Sequence, residues 1–174
     1  MTIIDFKAPW AGALKARTLL FVVLLCAAAV AGYIGLASRP FWQGVCVSTC
    51  VALLLLASSR AIRGYRLTDE HIRIKRLVGG EVLPIANLQG VDGMAQAMQG
   101  SICLFANCGV FAMSGWYFNR RLKLYRAYAT DPTRAVVLLV GKRKIVITPH
   151  DPQQFIARAR TFIKTAAYEA AQRR

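Results

Sequence analysis

Acidic residues and histidine are scarce in this chain. Its 174 residues include eight Asp and Glu and two His against 23 Lys and Arg, which gives a formal net charge of +15. Metal binding and acid–base catalysis need carboxylates, imidazoles or thiolates that converge on one point. The acidic residues are scattered, and neither His71 nor His150 has a carboxylate or thiol partner at a recognisable spacing. We therefore expect no enzyme activity, no metal and no cofactor.

Charge is absent altogether from two long apolar stretches, residues 18–37 and 41–59. Each stretch has about 20 residues, the length that crosses about 30 Å of hydrocarbon as an α-helix. Residues 38–40 are the only link between them, and Pro40 breaks the helix there. The sequence predicts a transmembrane helical hairpin. A cleaved signal peptide is disfavoured, because the first stretch is too long and a second follows at once.

Basic residues flank this hairpin on both sides. Lys7, Lys15 and Arg17 precede it, Arg60, Arg63 and Arg66 follow it, and its turn contains Arg39 alone. Residues 60–174 contain 19 Lys and Arg but 7 Asp and Glu. Because short basic segments stay on the cytoplasmic side, the pattern predicts a multi-pass protein with both termini in the cytoplasm.

The five cysteines are divided between two parts of the chain. Cys26, Cys46 and Cys50 lie in the predicted spans, and Cys103 and Cys108 lie beyond them. A reducing cytoplasm keeps such thiols free. Cys46 and Cys50 share a helix face and could bind a metal or meet Cys26, but no histidine accompanies them. Small cysteines that pack within the helix pair are the favoured interpretation, and no zinc site is expected.

After residue 60 the pattern changes to short apolar–polar alternations broken by turns. The segment 89–100 is rich in glycine and small residues and is predicted to be a loop. A C-terminal helix is predicted over 151–173, with Asp151 as its N-cap and Pro152 in its first turn. The predicted units are an N-terminal segment over 1–17 with a short interfacial helix, the hairpin over 18–59, and a domain over 60–174. The domain is expected to hold six or seven strands in hairpin connection, around residues 65–68, 72–75, 81–85, 101–105, 122–128, 135–140 and 144–148.

Several passages carry a resemblance to a known family. They are Tyr65-x-Leu67-Thr68, Leu83-Pro84-Ile85, Gly115-Trp-Tyr-Phe118, Tyr128-Ala-Thr-Asp-Pro132 and Ile145-Val-Ile-Thr-Pro149-x-Asp151-Pro152-x-x-Phe155. In this order they resemble the bacterial pleckstrin-homology (PH) domain families, over about residues 65–163. The resemblance implies two antiparallel sheets in a β-barrel or sandwich, capped by the C-terminal helix. It also implies the bacterial inner membrane as the location. The predicted fold class is an α+β membrane protein with a two-helix transmembrane hairpin followed by this domain.

The basic residues of the domain are its main functional signal. Anionic headgroups attract basic residues near a membrane surface with up to about 1 kcal/mol each. Positive-inside topology alone also explains the residues next to the spans. We predict contact with anionic phospholipid headgroups at nine residues: Arg60, Arg63, Arg66, Arg120, Arg121, Lys123, Lys142, Arg143 and Lys144.

The sequence also bears on the partners. A nucleic acid would need aromatic residues for stacking among the cations. Residues 116–128 contain such aromatics, but alternation in a strand favours a place in the core, and no nucleic acid is expected. The leading hypothesis is a non-enzymatic interaction module that binds a protein partner or forms a homo-oligomer. The alternative is a small accessory or regulatory subunit of a larger membrane transporter or enzyme complex, reached through Gln43, Ser48 or Thr49.

Overall fold

The computed structural model describes residues 3–172. The chain begins with a strand, β1 (Ile3–Lys7), and two long helices, α1 (Gly12–Gly35) and α2 (Pro40–Ser59). The strands and the helix that follow are β2 (Ile62–Thr68), β3 (His71–Arg76), β4 (Gly80–Pro84), β5 (Leu88–Gly93), β6 (Ile102–Val110), β7 (Ala112–Asn119), β8 (Lys123–Ala129), β9 (Val136–Val140), β10 (Arg143–Ile147) and α3 (Pro152–Gln172).

Helices α1 and α2 are long and apolar enough to cross a membrane, with mean hydropathies of 2.3 and 1.8 over their most apolar windows. Only 6% and 0% of those windows are buried within the protein. The core helix of a soluble protein buries its apolar face, whereas Leu20 and Leu56 are 59% and 67% exposed. The predicted helical hairpin is confirmed. Its first helix begins six residues before the start of the predicted span and ends two residues before the end of that span.

The two helices pack closely along small side chains. A Cβ atom at Gly32 would clash with Cys46 Sγ, so glycine favours the close approach of the two helices. Gln43 Nε2 donates to the Tyr33 carbonyl at 2.7 Å, and Thr49 Oγ1 donates to the carbonyl four residues before it at 2.8 Å. Two of the polar groups considered for a partner helix are therefore satisfied inside the hairpin.

The helical hairpin is inserted between two paired strands. β1 runs antiparallel to β2, with Phe6 opposite Tyr65 and Lys7 opposite Gly64. A Cβ atom at Gly64 would lie 2.6 Å from the Phe6 carbonyl oxygen, so glycine permits this contact. The predicted interfacial helix is wrong over Ile3–Lys7, because Phe6 is buried and a strand places it in the core. We propose that the β-structured unit includes Ile3–Lys7 in addition to the predicted 60–174.

The strands form two open sheets packed as a sandwich. One sheet has the order β1-β2-β3-β4 and the other β5-β9-β10-β8-β7-β6. The predicted fold class is confirmed, and of the two predicted forms, barrel and sandwich, the structure shows the sandwich. The expectation of hairpin connections throughout is wrong between β8 and β9, because β10 lies between these two strands and runs parallel to β8. The predicted loop over 89–100 is also wrong in its first part, where β5 pairs with β9 and buries Val91.

The larger core lies between the sheets and contains a phenol that joins them. Tyr65 is fully buried; its hydroxyl donates to the Tyr128 carbonyl at 2.6 Å and accepts from the Thr148 amide at 3.2 Å. Burial raises the pKa of Tyr65 to about 12, so the phenol stays protonated. A second core lies on the outer face of the larger sheet, where Met94 and Met98 cover the strands.

Helix α3 closes the sandwich as predicted. Asp151 Oδ1 accepts from the Gln154 amide at 3.0 Å, which confirms the N-cap, and Pro152 begins the helix. Phe155 is fully buried and meets Phe6 edge to face, with ring centroids 5.1 Å apart. The predicted last residue of the helix, Arg173, lies outside the described residues.

Candidate interaction surfaces at the two ends of the sandwich

The helices leave the sandwich from one end, which we call the proximal end. There the Ala11 amide donates to the Thr130 carbonyl at 3.1 Å, and the Val78 amide donates to the Ser59 carbonyl at 3.2 Å. The opposite end, called the distal end, carries the turns between β7 and β8 and between β9 and β10. The two ends are therefore distinct surfaces.

Two hairpin tips with apolar side chains flank the helices at the proximal end. At the β3–β4 tip, Leu77 and Val78 are 43% and 67% exposed to solvent. The β6–β7 tip carries Phe111, whose ring meets Trp10 edge to face at 6.3 Å. Aromatic and apolar side chains at this position suit the boundary between lipid and water. Sequence reasoning missed both tips, although an apolar pair directly before Gly79-Gly80 was a signal for the first.

Side chains satisfy the backbone of the β6–β7 tip. The Phe111 amide donates to Thr18 Oγ1 at 2.9 Å, and the Val110 amide donates to Asn107 Oδ1 at 3.1 Å. Asn107 Nδ2 in turn donates to the Val110 carbonyl. Unpaired backbone groups are costly in an apolar environment. These bonds allow the tip to lie beside α1 at the depth of Thr18.

Three of the nine predicted headgroup contacts lie at or near the proximal end. Arg60 and Arg63 are exposed beside the end of α2. Arg66 is engaged elsewhere: its Nε and Nη2 donate to the two carboxylate oxygens of Asp5 at 2.8 and 3.1 Å. Lys75 Nζ reaches the same carboxylate at 2.9 Å. Asp5 therefore ties β1 to β2 and β3, and it draws Arg66 away from a lipid surface.

Replacing Asp5 with asparagine is expected to lower stability by about 1 kcal/mol or less at neutral pH, since the pair is half exposed. Hydrogen bonds from Arg66 and Lys75 lower the pKa of Asp5 to about 2, against about 3.9 in an unfolded chain. The contribution is complete above about pH 4 and is lost as the pH falls through about 2. Thermal unfolding of wild type and Asp5→Asn across this range measures it. A difference that persists unchanged at pH 2 or in 1 M salt would contradict the assignment.

The other six predicted contacts gather at the distal end. The parallel register of β8 and β10, with Ile145 opposite Arg126, brings the two turns side by side. Lys144 Nζ donates to the Leu122 carbonyl at 3.2 Å across them. No residue in 3–172 forms an ion pair with any of the six. The six are Arg120, Arg121, Lys123, Lys142, Arg143 and Lys144.

The distal cations lie far from the helices. β8 runs from Lys123 at the distal end to Ala129 beside the proximal end, a length of about 20 Å at about 3.3 Å per residue. Charges in water are screened over about 8 Å at physiological salt. The distal cations therefore do not reach a bilayer that surrounds α1 and α2 and meets the proximal end. Headgroup contact remains a prediction for Arg60 and Arg63.

An apolar row lies beside the distal cations. Ile102, Phe118 and Leu124 are cross-strand neighbours on β6, β7 and β8. Their side chains are 63%, 39% and 53% exposed. Contiguous exposed apolar side chains with a charged rim are typical of protein interaction sites. Sequence reasoning missed this row, because the register that aligns it is a long-range property.

Buried Asn119 shapes the distal turn from beneath. Its Oδ1 accepts from the amides of Arg121 and Leu122 at 3.1 and 2.6 Å. Its Nδ2 donates to the Ala97 carbonyl and to Ser101 Oγ at 2.8 and 2.9 Å. Asn119 thus holds the cationic turn to the segment that precedes β6. Sequence reasoning missed this residue too.

Comparison with known proteins bears on the fold. A family model described as a bacterial PH domain matches residues 63–162, which is more than half of the chain. The chain belongs to the bacterial PH domain family. The predicted resemblance is confirmed, and the family is generally non-enzymatic. Searches of curated proteins and of solved structures gave no match.

Three tyrosines of the bacterial PH domain are not available for stacking with bases. Tyr125 and Tyr128 are fully buried, and Tyr117 is 5% exposed. Arg126 lies over the rings of Trp116 and Tyr128 and pairs with Glu81 at 3.2 Å. These groups join the sheets and are not arranged for binding unstacked bases.

The cysteines of the bacterial PH domain differ from the expectation of free thiols. Cys103 and Cys108 form a disulfide, with Cα atoms 6.1 Å apart. A straight strand would separate them by about 17 Å, so β6 bends sharply between them. Two register shifts against β7 accompany this bend, which the sequence pattern does not reveal. Cys26, Cys46 and Cys50 are free thiols on α1 and α2, and within residues 3–172 no cluster of potential ligands is suited to a metal ion.

Proposed function

We propose that this protein is a non-enzymatic interaction module of the bacterial inner membrane, with both termini in the cytoplasm. The Cys103–Cys108 disulfide counts against a reducing compartment, whereas the basic residues on both sides of the helical hairpin favour the cytoplasm. Its proximal end lies on anionic phospholipid headgroups, and its distal end is presented to a protein partner. The insertion of α1 and α2 between β1 and β2 supports this arrangement. Because the hairpin is attached to the sandwich at both of its ends, the domain is held with one defined end toward the membrane.

Two kinds of side chain support lipid contact at the proximal end. Lys15, Arg60 and Arg63 are exposed cations beside the helices, each worth about 1 kcal/mol against an anionic surface. The exposed tip residues Leu77 and Val78 add apolar contact. This lipid contact orients the domain but does not by itself supply a specific partner.

The observation that carries the protein-partner proposal is the distal cluster of six cations beside the apolar row. An acidic protein surface with apolar side chains at its centre complements such a site in charge and in polarity. A second copy of this chain, which also carries a net charge of +15, would place like charges together at the distal end. We therefore favour a different protein as the partner over a homo-oligomer formed through this surface.

Native mass spectrometry of the full-length protein in a mild detergent tests the proposal. We expect the wild type to retain a distinct protein at fixed stoichiometry. The double variant Arg120→Glu/Arg143→Glu should reduce its retention at least about tenfold, since it reverses two charges at the interface. The matched control, Arg158→Glu/Lys164→Glu, reverses two exposed charges on α3 and should retain the partner.

Other outcomes would favour other hypotheses. Homo-oligomers with bound lipid and no second protein would favour self-association. A partner that remains on the Arg120→Glu/Arg143→Glu variant but dissociates from Ser48→Trp would be bound through the helices. That result would favour the alternative, an accessory subunit of a larger transporter or enzyme complex, because Ser48 is exposed on α2.

A further inference from the structure

A cavity of about 520 Å³ lies on the outer face of the larger sheet, beside the first turns of α1. Its walls come from α1, the β6–β7 hairpin, the segment before β6 and the turn at Pro132. This volume is in the range of sites that hold a small molecule or a headgroup. The lining includes Arg17, Gln96, Gln99, Met113 and Tyr117.

The cavity continues into an apolar groove along α1. This groove, of about 310 Å³, shares Arg17 and Cys108 with the cavity and is otherwise lined by apolar groups, among them Leu20, Phe21 and Leu24. From Arg17 to Leu24 the helix rises about 10 Å. The combined space is therefore polar at one end, charged at the junction and apolar along the helix.

Arg17 lies at the junction of the cavity and the groove. Within residues 3–172 its guanidinium forms no ion pair or hydrogen bond, and the side chain is exposed beside Gly109. The carboxylate of Asp131, which precedes the lining residue Pro132 in the chain, is engaged by Thr133 and Arg134. Burial raises the pKa of Tyr117 to about 12, so that phenol remains neutral. The positive charge of Arg17 is thus available to an anion.

We propose that this space binds one anionic phospholipid. Its phosphate would pair with Arg17, its headgroup would occupy the cavity near Gln96 and Gln99, and an acyl chain would lie along Leu20 and Leu24. Arg17 is the last charged residue before the apolar run, which places it at the depth of lipid phosphates. The groove lies on the face of a helix suited to hydrocarbon, so an acyl chain, and not a water-soluble ligand, fits it. The inference rests on the proposed membrane anchoring.

The test exchanges the purified full-length protein into an equimolar mixture of phosphatidylglycerol and phosphatidylcholine and records bound lipid by native mass spectrometry. We expect one phosphatidylglycerol per chain. Arg17→Gln should lower its occupancy about tenfold, because a charge-assisted contact is lost. Leu20→Trp should do the same by filling the groove.

Matched variants distinguish a specific lipid-binding site from a general electrostatic attraction of lipid to the basic protein. Arg39→Gln removes a charge from the opposite end of the helices, and Leu19→Trp adds the same bulk at a neighbouring exposed position outside the groove. Both should retain the lipid. Equal loss in Arg17→Gln and Arg39→Gln, equal binding of phosphatidylcholine, or a mass matching phosphate alone would overturn the proposal. The lipid mass is distinct from the partner mass, so failure of either proposal is recognised separately.

Discussion

Phe155→Ala is expected to lower the free energy of unfolding of the sandwich by about 3–5 kcal/mol. The ring is fully buried at the start of α3 and packs against Phe6 of β1. Its removal leaves a cavity where the helix closes the two sheets. Because Phe6 belongs to the strand that precedes the helical hairpin, the loss also loosens the attachment of α1. Urea unfolding of the full-length protein in detergent, followed by tryptophan fluorescence, measures the change.

The control for this variant is Phe105→Ala, which deletes the same atoms from a side chain that is 85% exposed. Its effect should stay within about 0.5 kcal/mol, as for most surface substitutions. Equal destabilisation by the two variants would show that α3 does not close the core through Phe155.

Asn119→Leu is expected to cost about 2–4 kcal/mol and to weaken partner retention. Leucine keeps the volume and burial but removes four hydrogen bonds, leaving buried amides and a carbonyl unpaired. The turn that carries Arg120, Arg121 and Lys123 would lose its support. Urea unfolding reports the stability, and the partner mass reports the geometry of the distal surface.

Asn87→Leu is the matched control, since Asn87 is exposed and contacts the distal end through its backbone carbonyl, which accepts from the Gly141 amide at 3.0 Å. It should leave both readouts near wild type. If Asn119→Leu lowered stability and left partner retention unchanged, at a temperature where the variant is folded, the distal turn would not be the binding surface.

The helical hairpin, the alternating strands and the start of α3 were predictable because each depends on local signals. Two runs without charge define α1 and α2, strict alternation defines β3, and Asp151 with Pro152 defines the beginning of α3. Strand β1 was missed because five residues before a proline give too short a pattern. Strand β5 was missed because Gly90 and Gly93 give it the composition of a loop.

The candidate sites were predictable in residue type but not in arrangement. Sequence reasoning grouped nine cations into one lipid-facing set, whereas the fold distributes them between two ends. That separation depends on the parallel pairing of β8 with β10, which is a long-range contact. The ion pair of Arg66 with Asp5 could not be foreseen either, because it requires β1 to be paired with β2.

The position of the helical hairpin between β1 and β2 also has a consequence for the order of assembly. During synthesis β1 emerges first, and its partner β2 emerges only after both helices. Closing so long a loop in solution carries an entropic cost. Insertion of the helices removes that cost, because the hairpin returns the chain to the side of the membrane on which β1 lies. Lys7 and Gly64 then meet as the ends of an oversized β-hairpin whose turn is the membrane segment itself. We therefore expect folding of the sandwich to follow insertion of the helices.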